Sequence, residues 1–199
     1  MQNNHWISLK QIFCILLVSI FLCACTATFN WREIRSDEQG YSALFPAKSN
    51  VEQKKLPFND RLIEISLETS SADEALFAIG SLKLDEKENA SADLITLMQK
   101  NAQRSIQQET EPILLKASFK LAGENNTKID GDGFQLSGVS LDGKFRIYWV
   151  YWLKRSDSNQ MTRVYQLTAM KAFKQKPSGQ EISSITEQFN TFLGGFKPY

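Results

Sequence analysis

One histidine and three cysteines are the chain's whole supply of imidazole and thiol groups. All four fall within the first 25 of 199 residues: His5, Cys14, Cys23 and Cys25. The body downstream therefore has no Ser-His-Asp or Cys-His arrangement available to it. A structural zinc site, which needs Cys or His ligands, is equally out of reach. No GxGxxG or GxxxxGKS/T is present, so the usual phosphate cradles are missing. What remains is 22 Asp+Glu, enough for a chance pair of the kind that runs glycoside hydrolysis. Glu64 and Glu68 fall on what strand alternation makes a solvent face, where they should be ordinary. Asp130-Gly131-Asp132-Gly133 opens like a calcium loop, but Phe134 and Leu141 stand at positions five and twelve, where oxygen ligands are required. The run reads instead as a Gly-rich loop turn. No catalytic residue, cofactor or metal is expected. A carboxylate-dependent hydrolase is the remaining enzymatic alternative.

Cys25 takes its meaning from what precedes it. Lys10 and the amino terminus supply a short positive flank, and Ile12 to Leu22 is almost uninterruptedly apolar. That is the layout of a secretory leader, whose apolar region runs to roughly 7–15 residues; a spanning helix needs about 20. An uncleaved anchor and a plain signal peptide are the alternatives. Leu22-Cys23-Ala24-Cys25 resembles the bacterial lipobox, in which an aliphatic residue, a small residue and Ala or Gly precede the cysteine that receives diacylglyceryl. Leu22, Ala24 and Cys25 match; Cys23 is small but stands where Ala, Ser or Thr is more usual. The resemblance implies that residues 1–24 are removed and that Cys25 carries the lipid. A single thiol, on the first residue, would survive cleavage, so no disulfide framework forms although the route permits one. One acyl chain holds a protein to a bilayer only marginally, but each buried CH₂ adds about 0.8 kcal/mol, so two or three chains anchor it firmly. By resemblance to lipoproteins of two-membrane bacteria, Thr26 rather than Asp after the cysteine implies the outer membrane, facing the periplasm.

Charge excludes further classes. Lys10 is the single basic side chain in residues 1–24, which contain no acid; without it the chain has 22 Lys+Arg against 22 Asp+Glu. Neutrality argues against a nucleic-acid binder and against attachment by a polybasic patch. Residues 25–30 read as a short tether, and Trp31 already reads as structural. With no repeat and no Pro/Gly/Ser-rich linker, residues 31–199 form one domain.

The elements follow from periodicity. Tyr41–Phe45 reads as a strand closed by Pro46. Arg61 to Thr69 alternates Ile63, Ile65 and Leu67 against Glu64, Ser66 and Glu68, the period of a half-buried antiparallel strand, with Leu76–Leu84 as its partner. The charged run 85–88 reads as a solvated connection. A helix follows from Ser91, with Leu94, Ile95, Met98, Ala102 and Ile106 as its apolar stripe, ended by Pro112. Strands are expected at Ile113–Leu121, at Phe134–Leu141 after a polar loop 123–133, at Lys144–Leu153 across a two-residue Asp142-Gly143 turn, and at Thr162–Phe173. Lys171, Lys174 and Lys176 read as a solvated edge. Ser178-Gly179-Gln180-Glu181 is a capping box opening a helix with Ile182, Ile185, Phe189, Phe192 and Leu193 on one stripe. Gly194-Gly195 suits a left-handed cap, over which Phe196 can fold back.

Strands, a helix, four strands and a helix make an α+β fold, an antiparallel sheet flanked by two main helices. This order resembles the PsbP-like fold, shared with DcrB-like bacterial lipoproteins. Gly40 to Pro46, the mid-chain helix and Phe189, Phe192, Gly195-Phe196-Lys197 carry the resemblance, which implies an α/β/α sandwich and an accessory or binding role without a shared catalytic set. One segment offers a recognition surface. Phe145, Ile147, Trp149, Tyr151 and Leu153 fall on one face of a strand, and Arg146, Tyr148, Val150 and Trp152 on the other. Either the strand is covered on both sides, or Arg146, Tyr148 and Trp152 anchor a protein partner. The expected function is thus a membrane-anchored, non-enzymatic envelope module that binds another envelope protein. The alternative is a carrier of a small apolar ligand held between helix and sheet by Trp149, Tyr151 and Phe189.

Overall fold

A computed structural model describes residues 28–85, 90–108, 111–124, 126–156 and 161–199. The expected leader, Cys25 and the charged positions 86–88 lie outside the described residues. In chain order the elements are β1 (Arg32–Ser36), β2 (Tyr41–Phe45), β3 (Asn50–Phe58), β4 (Arg61–Ala72), β5 (Ala75–Asp85), α1 (Ala90–Arg104), β6 (Gln107–Gln108), β7 (Ile113–Lys120), β8 (Lys128–Val139), β9 (Phe145–Ser156), β10 (Met161–Phe173), α2 (Gly179–Gly195) and β11 (Lys197–Pro198). Eight strands form one antiparallel sheet in the order β3-β4-β5-β10-β9-β8-β6, with β7 also paired to β8; β1, β2 and β11 form a second sheet of three. Among the described residues no helix is long and apolar enough to cross a membrane.

The middle of the large sheet, β9 and β10, is covered on both faces, which explains why both strands carry apolar residues on both sides. Val150, Trp152 and Val164 point to one side, where they join Ala90, Leu94, Met98 and Ala102 of α1 and Ile106 just beyond it. Tyr151, Leu153, Tyr165 and Leu167 point to the other, where they meet Ile185, Phe189 and Phe192 of α2 and Tyr41, Ala43 and Phe45 of β2. The α+β architecture is as expected, with one difference: the small sheet shares the α2 layer, so strand rather than helix makes up much of that side.

Several local expectations are corrected. β3 carries no apolar alternation and is an exposed edge paired only to β4; its hairpin turns at Asn59 and Asp60, both left-handed at φ 46° and 59° without a glycine. β8 begins at Lys128, so Asp130 to Gly133 lie inside a strand rather than in a loop turn. At Gly133 a Cβ would stand 2.3 Å from the Val150 carbonyl oxygen of the neighbouring strand, which explains a glycine in mid-strand. The β8–β9 connection is five residues, 140–144, with Val139 opposite Phe145, and closes by the Gly143 N–H donating to the Ser140 carbonyl at 2.8 Å. The capping box is present at Ser178 and Glu181. The left-handed Gly cap is not: α2 runs through Gly195 and ends on extended Phe196 at φ −78°. Gly195 answers a close approach, since a Cβ there would sit 2.6 Å from Leu44 Cβ.

Glu68 is also corrected. It is 6 % exposed, not solvent-facing, because β2 lies over that face of β4. The Tyr41 hydroxyl donates to its Oε2 at 2.7 Å and the Ser49 hydroxyl to its Oε1 at 2.6 Å. Burial, and next the bond to this carboxylate, push the Tyr41 hydroxyl pKa far up.

Candidate functional site

The aromatic strand resolves toward coverage. Trp152 is 2 % exposed; its Nε1–H donates to Gln166 Oε1 at 2.9 Å and its ring centroid lies 5.0 Å from that of Phe134. Tyr148 is half-buried against the α1 cluster, where burial raises its pKa. Arg146 is held through Nη2 by Asp142 Oδ2 at 2.7 Å. Of Arg146, Tyr148 and Trp152, the structure removes Trp152 from the surface, a core residue under α1, and leaves Arg146 and Tyr148 partly exposed. Trp149, Tyr151 and Phe189 are likewise packed ring against ring. Trp149 meets Phe189 at 5.3 Å and Tyr151 meets Phe119 at 6.1 Å, and Phe189 has no exposed surface. The rings occupy the space in which an apolar ligand was expected.

A different place stands out on the α2 side, at the start of the described residues. Phe29 stacks on Trp31 at 6.0 Å and meets the edge of Phe77 at 6.2 Å, while Trp31 meets Phe77 at 5.7 Å. The Asn30 N–H donates to the Pro46 carbonyl at 2.8 Å. The polypeptide is thus tied to the core from Phe29 onward, four residues after Cys25. Four residues reach at most about 14 Å.

Phe29 forms one wall of an open cleft of about 660 Å³. Its other walls are the β4–β5 turn at Asp73 and Glu74, the end of β10 at Lys171 and Phe173, and the first turns of α2 at Ser184 and Ile185. Asp73 and Glu74 both adopt left-handed φ, 52° and 59°, the two-residue turn that suits the twist of a hairpin. That turn carries Asp73 to Lys171, whose ammonium donates to Asp73 Oδ2 and lies 5.8 Å from the Phe173 ring. Across the cleft, the Ser178 N–H donates to Glu181 Oε2 at 2.8 Å. That bond and the one from the Ser178 hydroxyl hold the Glu181 carboxyl below the ordinary glutamate range. The cleft sets the apolar side chains of Phe29, Ala172, Phe173 and Ile185 among charges of both signs. Two of the lysines expected as a solvated edge differ in kind. Lys171 is ion-paired with a side chain only 16 % exposed, and Lys174 is exposed on the rim. Among the described residues no three His, Cys, Asp or Glu converge on a metal position.

No signal in the sequence marks this cleft, because its walls come together only through the β4–β5 turn and the packing of α2. No family model matches the chain, and no curated protein matches its sequence. Among solved structures it is similar to LpqN of Mycobacterium tuberculosis, described as involved in cell envelope biogenesis. That likeness has a TM-score of 0.41 and 10 % identity, over 85 % of this chain and 90 % of that one.

Proposed function

We propose that the chain is a bacterial envelope lipoprotein, anchored by acyl chains on Cys25, whose domain acts as a non-enzymatic accessory module by docking another envelope protein in the cleft at Phe29. One observation carries this reading: Leu22-Cys23-Ala24-Cys25 ends four residues before Phe29, which among the described residues already packs on the core. A lipid on Cys25 would hold Phe29, one wall of the cleft, within about 14 Å of the bilayer. Thr26 in place of Asp supports the outer membrane, on its periplasmic side. The order of strands and helices supports membership of the PsbP-like and DcrB-like group. The absence of His and Cys downstream of Cys25 supports a role without catalysis.

Two experiments test it. Cells expressing the native chain incorporate labelled palmitate into it, and Cys25→Ala abolishes the label while leaving an unprocessed or soluble product; a variant that still takes up label overturns the anchor. A photo-crosslinker at Ser184, on the cleft wall, captures an envelope protein, whereas one at Leu62 on the α1 side does not. Equal capture from both positions overturns the docking role.

A further inference from the structure

The far end of β10 carries an arrangement that the tether and its cleft do not use. In the sheet register Arg163 of β10 stands directly opposite Lys83 of β5 on one side and Arg155 of β9 on the other. Strand alternation puts all three on the α2 face, since their neighbours Ile79, Leu153 and Tyr165 belong to that core. Adjacent strands lie about 4.8 Å apart, so three cations sit side by side across the middle of the sheet. Like charges directly opposite one another destabilise a sheet, and a chain with as many acids as bases could have placed a carboxylate among them.

It has not done so to any great extent. The Arg163 Nη1–H donates to a backbone carbonyl, that of Glu38, at 2.9 Å. Arg155 Nη2 is 3.5 Å from Glu124 Oε1, a long contact. Arg155 Nη1 is shut away from solvent and has no hydrogen-bond partner among the described residues. Asp37 is engaged elsewhere: it accepts from Arg35 Nε and from the Tyr199 hydroxyl, both at 2.7 Å. The backbone makes room for the row. Gly40 is left-handed at φ +69°, and a Cβ on it would lie 2.8 Å from Arg163 Nη1.

A cleft of about 250 Å³ opens on the row, lined by Lys83, Arg155, Met161, Arg163, Tyr165 and Tyr199. The Tyr165 hydroxyl already donates to the Gly40 carbonyl at 2.8 Å, so Tyr165 serves as an aromatic floor. Donors that remain are Arg155 Nη1, the Lys83 ammonium and the part of the Arg163 fork not given to Glu38. Two guanidinium groups and an ammonium lining one small space match a tetrahedral oxyanion of double charge, which guanidinium N–H groups meet by charge-assisted hydrogen bonds and ammonium meets as a point charge.

We propose that Lys83, Arg155 and Arg163 form a binding site for a phosphate monoester group, with Met161 and Tyr199 receiving the first atoms of whatever carries it. The site does not depend on the anchor at Cys25. It lies eight residues along β10 from Lys171, roughly 26 Å at about 3.3 Å per residue, so it is separate from the cleft at Phe29.

The test uses the full chain in neutral detergent. Inorganic phosphate should bind saturably and raise the melting midpoint, and the affinity should fall as salt rises. Arg163→Gln and Arg155→Gln should each weaken phosphate by about tenfold, the loss of a charge-assisted hydrogen bond. The exposed Lys83→Gln covers the case in which an arginine variant fails to fold, and Lys116→Gln, exposed on β7, should leave phosphate binding unchanged. Vesicles of phosphatidylcholine with and without phosphatidic acid separate the sources. Binding to phosphate but not to phosphatidic acid identifies a soluble phosphomonoester, and binding to phosphatidic acid vesicles identifies a lipid headgroup. If neither binds, or if the charge variants respond to phosphate as the native chain does, the site is not there.

Discussion

The two ends of β10 solve the same electrostatic problem in opposite ways. Both place a cation on the α2 face of the large sheet. At the end near Phe29, Lys171 is bonded to Asp73, which the β4–β5 turn brings within reach. At the other end Arg163 stands between Lys83 and Arg155, and its hydrogen bond goes to a neutral carbonyl. A cation that meets its own acid closely is part of the fold; a row whose one described acid contact is Glu124 at 3.5 Å from Arg155 is poised for a charge from outside. Apolar content does not distinguish the ends, since the aromatic core underlies both. What differs is whether local turn geometry delivers a carboxylate.

The comparison can be broken most forcefully at the shared core. Phe77 lies 6.2 Å or less from Phe29, Trp31, Phe189 and Phe192. Phe77→Ala should cost about 3–5 kcal/mol in urea unfolding, and both ends should fail together. Loss at one end with full stability at the other would show that they do not share a core. A smaller effect is expected at Gly40, where an alanine must take a left-handed backbone and crowd Arg163. Gly40→Ala should cost about 1–2 kcal/mol and also weaken phosphate, whereas phosphate bound at native affinity would detach Gly40 from the row.

Opposite signs sharpen the contrast further. Lys171→Gln removes one partner of a partly shielded ion pair and should destabilise by about 1 kcal/mol. Arg163→Gln, measured without phosphate, relieves two like-charge neighbours and should stabilise by about 0.2–1 kcal/mol. Chemical denaturation of the two variants side by side gives the answer, and the same sign for both removes the distinction. The smallest effect is the acid response of Glu181 at the cleft rim. Its carboxyl pKa is lowered in the fold, chiefly by the Ser178 N–H. The stabilisation is therefore present above the ordinary glutamate value of 4.5 and fades as pH falls through the lower folded value. Glu181→Gln should flatten that part of the stability–pH curve.

The sequence made some elements plain because their signals are local. Ser178 and Glu181 three residues apart announce the start of α2, and Tyr41 to Pro46 announces β2. The period of two from Arg61 to Thr69 announces β4, but it puts Glu68 on the wrong side of the solvent boundary, because nothing near it in sequence says that β2 will cover that face. β3 has no apolar rhythm since an edge strand needs none, and Asn59-Asp60 and Asp73-Glu74 make left-handed turns without the glycine that usually marks them. Trp152 was readable as a strand residue, but whether it is a core residue or an anchor depends on where α1 lies. The cation row was illegible for the same reason. Lys83 and Arg163 are eighty positions apart and become neighbours only through the register of three strands.

Whether Cys25 begins the mature chain and bears lipid decides whether the domain is held at a bilayer, and a mass measurement settles it most directly. Protein taken from native membranes and digested after Lys and Arg should yield a peptide running from Cys25 to Arg32, heavier by a diacylglyceryl group. An unmodified peptide from Gln11 to Arg32 would mean that the leader is retained and that the lipid is absent.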